Sequence, residues 1–150
     1  MSLTAELRQA INGLLQETTT LTLATVDPDG VPRATPLFFA FDRAFNFYFL
    51  SDSSTRHGLN LVRDDRAGAA VYPEELDWRQ LRGLQLQGLV ARLSPPESEG
   101  ALAIYQARFP FLSQLADTVE ASSIYCFQPG WIRYIDNRRG FGFKQEASLP

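Results

Sequence analysis

The sequence predicts an α+β fold, an antiparallel β-barrel of about six to seven strands with flanking helices. Three observations lead there. Short runs in which apolar and polar residues alternate recur along the chain, the period of a half-buried strand. Turn residues separate several of them closely, as at Asp27-Pro28-Asp29-Gly30 and Asp42-Arg43-Ala44, so the flanking strands run antiparallel. Helical periodicity is confined to a few segments, and so many short strands avoid exposed edges best by curling into a barrel.

Leu3, Leu7, Ile11, Leu14 and Leu15 recur at three- and four-residue steps, one face of a helix over residues 3–17. The β-branched run Thr18-Thr19-Thr20 ends it. TLTLATV at 20–26 alternates as a strand should, and residues 31–41 form the return strand, in which Pro32 and Pro36 demand an edge or a bulge. FNFYFLS at 45–51 is a third strand. Residues 53–64 turn helical, and 67–72 form a short buried strand. A long strand over 78–93 is expected to bend at Gly83 and Gly88. Ser94-Pro95-Pro96-Glu97 reads as a helix start capped by Ser94, with the helix running to Arg108 and a second short helix over 112–118. Strands at 122–128 and 131–135, separated by Pro129-Gly130, complete the barrel before a polar tail.

The 150 residues fit one domain, residues 1–150. With 45% hydrophobic and 21% charged residues, the chain can bury a core. A net charge of -3 argues against a nucleic-acid partner, which needs a basic surface. The one cysteine, Cys126, forms no internal disulfide, and one histidine supports neither a zinc motif nor a His-rich metal site. No long apolar run suggests a leader or a membrane span, so the expectation is a cytoplasmic protein.

The most informative segment is Ser51-Asp52-Ser53-Ser54-Thr55-Arg56-His57, which follows a strand and opens a helix. Helix starts carry unpaired N–H groups and partial positive charge. Hydroxyls, Arg56 and His57 add donors, and Arg63 and Arg66 raise the local potential, a pattern that suits a phosphate monoester. Ser and Thr are also ordinary helix caps, and both readings stay open. In GVPRATPL at 30–37, Pro36 frees backbone groups that either meet the polar edge of a flat ring or mark an ordinary edge strand. Gln85 and Gln87 share a strand face with Gly83, placed for a ligand or a second subunit. Trp78 and Trp131 read either as interface or as core. Cys126 reads as a buried filler, and Arg138 and Arg139 as a solvated turn or an anion contact.

The order of elements, with GVPRATPLFF at 30–39, FYFLSDSSTRHGLNLVRDDRAGAAVY at 47–72, WRQLRGLQLQGLVARLS at 78–94 and IDNRRGFGFK at 135–144, resembles the FMN-binding split-barrel superfamily. Pyridoxamine 5'-phosphate oxidase belongs to it, and this chain looks closest to a small branch with its own C-terminal signature. The resemblance implies a split-barrel homodimer with FMN at the subunit interface. It places Thr55, Arg56 and His57 at the flavin phosphate, the backbone of Thr35, Pro36 and Leu37 beside the ring, and Leu50 and Ser51 between them. Gln85 or Gln87 and Trp131 would come from the partner chain. The oxidase carries arginine where Thr35 stands and lysine where Ala40 and His57 stand, so this chain offers the phosphate fewer cations. The oxidase's C-terminal substrate motif is absent, and vitamin B6 oxidation is not implied. What is implied is FMN-dependent redox chemistry on a small molecule, a nicotinamide being a candidate electron donor. The alternatives are a non-enzymatic dimer that binds or senses flavin or haem, and a barrel that has lost its cofactor.

Overall fold

A computed structural model describes residues 1–150. Helix α1 (Ala5–Glu17) starts on Thr4, whose hydroxyl accepts the Leu7 N–H, and buries Leu7, Ile11, Leu14 and Leu15. Strands β1 (Thr20–Val26), β2 (Pro32–Phe38), β3 (Ala40–Phe41) and β4 (Phe47–Ser51) follow, then helix α2 (Arg56–Arg63) and strands β5 (Arg66–Val71) and β6 (Arg82–Arg92). Helix α3 (Glu97–Arg108), a 3-10 turn (Pro110–Leu115), helix α4 (Ala116–Ala121) and strands β7 (Ser123–Asp136) and β8 (Lys144–Ser148) complete the chain. The strands form one antiparallel sheet in the order β2-β1-β5-β6-β7-β4-β3, with β8 added on β7. This is the α+β curled barrel expected.

Its inner face carries the main core. Leu21 and Leu23, Phe47 and Phe49, Leu84 and Leu86, and Phe127, Ile132 and Tyr134 alternate inward along their strands, and α1 packs its leucines against them. A smaller cluster (Ala101, Tyr105, Phe109, Leu112, Ile124) seats α3 on the outside of β4 and β7.

Four expectations need correction. The return strand is broken at Phe39: β2 pairs with β1, whereas Ala40 and Phe41 pair with β4 at the opposite end of the strand order. Phe39 is fully buried and its N–H donates to Thr19, so its side chain pins the crossing between the two edges. The three early strands are therefore not a continuous meander. Secondly, β7 is unbroken. Gly130 is an extra residue opposite Gln87 and Gly88, a bulge whose carbonyl accepts the Leu149 N–H. Gly88 serves this bulge, since a Cβ there would meet the Gln128 carbonyl and lie 2.6 Å from Pro129 Cα. The predicted bend at Gly83 has no counterpart in the register. Thirdly, α3 begins at Glu97 with Pro96 at its cap position and no side-chain cap, so Ser94 does not cap it. Lastly, the polar tail contains β8, whose alternation was concealed by its charged outward residues.

A twin-arginine cluster and an outer groove

The end of β1 and the start of α2 build a charged cluster on Asp27. The Asp27 N–H donates to Val31 and its carbonyl accepts from Gly30, closing the β1–β2 turn and turning its carboxylate inward. Although the carboxylate is buried, three donor groups make four hydrogen bonds to it or its neighbour. Asn60 Nδ2 donates to Asp27 Oδ1 (2.9 Å) and Thr25 Oγ1 (3.1 Å). Arg33 Nε (2.7 Å) and Arg56 Nη1 (3.1 Å) share Oδ2. The Asn60 hydrogen bond, reinforced by Arg33 and Arg56, outweighs the cost of burial and holds the Asp27 carboxyl below its usual range. One permanent anion thus gathers two permanent cations. Arg33 keeps its Nη donors and Arg56 its Nε and Nη2, and their side chains are 48% and 61% exposed.

Arg56 and His57 also occupy the first two positions of α2, whose N–H groups have no acceptor within the helix. Thr55 is the cap, accepting from the Gly58 N–H (3.2 Å). Gly58 is required there, because a Cβ would sit 2.8 Å from the Ser53 carbonyl. His57 does not face outward as a cation. It is buried, its Nε2 shares a hydrogen bond of 2.6 Å with Ser51 Oγ, and burial lowers its pKa, so it is neutral near pH 7. Its work is to tie the end of β4 to α2.

Thr35, Pro36 and Leu37 lie on β2, an edge strand with one unpaired side, which satisfies the demand of Pro36. Leu50 and Ser51 end β4, both half-buried. The remaining expected residues lie elsewhere. Gln87 and Trp131 are cross-strand partners at the bulge and line an open groove of about 650 Å³ on the outer sheet face, with Val26, Pro32 and Arg66. Gln85 accepts from Arg133 (3.2 Å), which also lies over the Trp131 ring and pairs with Glu146 on β8. None of Thr35–Leu37, Ser51 or Thr55–His57 lines that groove. Within one chain the expected residues therefore fall into two groups.

Sequence reasoning missed Asp27, Arg33, Thr25 and Asn60. Asp27 read as a turn residue; Arg33 lies 6 positions on, but the other two partners lie 29 and 33 positions away on α2, so local spacing did not expose the cluster. Trp78 belongs to neither group: it is exposed and meets Phe141 edge-on at 5.7 Å. Arg138 is held by Asp136, and Arg139 lies over Phe143.

The strand order and the helices packed on the sheet define an antiparallel split barrel. The pattern of the family described as pyridoxamine 5'-phosphate oxidase matches residues 7–136, and the chain belongs to that family. A UPF0306 protein of Klebsiella pneumoniae is 31% identical over 108 residues, covering 71% of this chain and 70% of that one. The pyridoxine/pyridoxamine 5'-phosphate oxidase of Paraburkholderia xenovorans is 34% identical over 96 residues, 64% of this chain but 43% of the oxidase. Among solved structures, a heme binding protein from Mycobacterium smegmatis superposes with a TM-score of 0.80 at 21% identity, over 94% of this chain and 57% of that one. At that identity the likeness speaks for the fold. No helix is long and apolar enough to cross a membrane.

Proposed function

We propose that the chain binds FMN and serves as a flavin-dependent oxidoreductase for a small molecule. The observation that carries the reading is the pair of guanidiniums fixed on Asp27 beside the open N–H groups of α2. A phosphate monoester dianion fits that donor set, because arginine forks match its oxygens and the helix start adds partial positive charge. Arg33 supplies a second cation beside Arg56, at a site where the resemblance to the oxidase would put basic residues at Thr35, Ala40 and His57. The unpaired edge of β2 at Thr35–Leu37 offers backbone groups to a ring, and Leu50 and Ser51 would lie beside that ring, as the resemblance implies.

When bound, the flavin supplies the electron transfer, and the protein positions it and tunes it. Arg33 and Arg56 would hold its phosphate, with Asp27 keeping both arginines in place. Gln87 and Trp131 would reach the flavin from a second copy, which explains why one chain separates them from the cluster. The outer face bearing them exposes Val26 and Leu89 beside the small residues Ala24 and Gly68, an apolar groove suited to a homodimer.

A haem protein is the second reading, prompted by the mycobacterial likeness. It needs an axial ligand, and the outer groove is lined by no His, Cys, Met or Tyr, while His57 is buried against Ser51. Titration of the protein with FMN, followed by flavin fluorescence, tests the first reading. Arg33→Ala and Arg56→Ala each remove charged hydrogen bonds of about 1.5–3 kcal/mol, so affinity for FMN should fall on the order of 10- to 100-fold, and affinity for riboflavin should barely change. Absence of binding to roughly 0.1 mM FMN refutes the reading. A Soret band on haem addition would favour the second.

A further inference from the structure

A groove lies between α1 and α3, lined by none of the twin-arginine cluster. The exposed positions of α1 are divided by charge. Glu6 and Glu17 border one flank, facing Arg82 and Arg138. The other flank presents Arg8, Gln9, Asn12 and Gln16 and no acid. Two hollows lie along it, of about 620 and 400 Å³, and Asn12 and Arg43 line both. Arg8 stands at one end and Arg108 at the other.

These arginines differ from most in the chain. Seven of the thirteen pair with a carboxylate, but Arg8, Arg43 and Arg108 do not. Two are nevertheless held in place. Arg8 Nη1 donates to the Arg43 carbonyl (2.8 Å) and its guanidinium lies 5.1 Å from the Phe45 ring centre. Arg108 donates to the carbonyls of Phe39 (3.1 Å), Leu15 (2.7 Å) and Thr18, and lies over the rings of Phe39 and Phe41. Cations fixed before a ligand arrives lose little freedom on binding it. One acid, Asp42, borders the hollows. Its oxygens already accept from the Ala44 and Asn46 N–H groups, Asn46 Nδ2 and Tyr48 Oη, all at 2.8–3.0 Å. The groove thus concentrates positive charge on a chain whose net charge is -3.

We propose that this groove binds a small organic polyanion whose oxyanion groups bridge Arg43 to Arg8 or Arg108, with Asn12 and Gln16 donating between them. The run from Arg8 to Gln16 spans about 12 Å at 1.5 Å per helical residue, which suits an elongated molecule better than a single small ion. Planar guanidinium forks match carboxylate and phosphate alike.

Calorimetric titration at constant ionic strength tests the site. Citrate represents carboxylates, inorganic triphosphate represents phosphates, and acetate is the monovalent control. Wild-type protein should bind citrate or triphosphate at least 10-fold more tightly than acetate, and the tighter of the two identifies the ligand chemistry. Arg43→Glu, in an exposed turn, should cut that affinity 10-fold or more while leaving the unliganded melting midpoint unchanged. The Arg33→Ala/Arg56→Ala double variant should retain it, which separates this site from the proposed flavin phosphate site. Binding no tighter than acetate, binding indifferent to Arg43→Glu, or binding lost in the double variant would each overturn the proposal.

Discussion

Gly88→Ala tests the bulge that aims Gln87 and Trp131 at the outer groove. Gly88 pairs with Pro129 across the register shift, and a methyl there would overlap the Gln128 carbonyl and lie 2.6 Å from Pro129 Cα. Both obstacles are backbone, and that backbone is held by the β6–β7 ladder and by the Leu149 N–H on Gly130. Overpacking in a site that yields costs about 1–3 kcal/mol. This one yields little, so about 3 kcal/mol is expected. For a chain of 150 residues that lowers the melting midpoint by about 6–12 °C. Urea unfolding followed by tryptophan fluorescence measures it, and Trp131 reports directly because Gln87, its cross-strand partner, adjoins the substitution. Gly13→Ala is the internal control: it lies within α1 with no atom within 4 Å of the new methyl, and should stabilise by about 0.5–1 kcal/mol. A Gly88→Ala loss below about 1 kcal/mol would refute the reasoning, because the bulge would then be adjustable rather than sterically required.

Three further outcomes follow from individual side chains. Arg108→Met keeps the apolar stem but removes the guanidinium hydrogen bonds to the Thr18 and Phe39 carbonyls and to that of Leu15, which keeps only its weaker bonds from Thr18; chemical denaturation should show a loss of about 3 kcal/mol. Burial pushes the Cys126 thiol up to about 11, so its labelling by a thiol reagent at pH 8 should run on the order of 100-fold slower than that of a free cysteine, and should match it only after unfolding. Asp136 is held below the usual carboxylate range by its Arg138 hydrogen bonds, which outweigh burial. Its folded pKa lies below the unfolded one, so its contribution is present above about pH 4 and fades as pH falls through the folded value. Stability measured from pH 6 to pH 3 should decline less in Asp136→Asn than in wild type.

Much of the fold was legible because it rests on short-range signals. Alternation along 20–26 and 45–51 reports which residues face the core, and the 3–17 periodicity reports the buried stripe of α1. The errors fall where distant contacts decide. Phe39 breaks an apolar run that looks continuous, since its burial against Phe47 and the Arg108 guanidinium and its bond to Thr19 outweigh the strand preference of its neighbours. Pro129-Gly130 looks like a turn but becomes a bulge because Gly88 opposite has no side chain. The tail at 144–148 looks polar because β8 is a sheet edge with one inward residue, Ala147.

The candidate site divides in the same way. Thr55 as cap and Arg56 as exposed cation follow from one helix start, and local sequence reveals both. What Arg56 does depends on Asp27, which local sequence marks as a turn. A buried aspartate is costly unless several donors meet it, and here Asn60 from α2, Arg33 from β2 and Arg56 from α2 converge on it. Removing that anion would leave two guanidiniums repelling each other with nothing to hold them at one spacing. Asp27 therefore acts as the positioning residue of the proposed phosphate site, at the cost of cancelling half of its charge. That arrangement lets a site with only two arginines hold them ready for an anion, since geometry fixed in advance replaces charge that is absent.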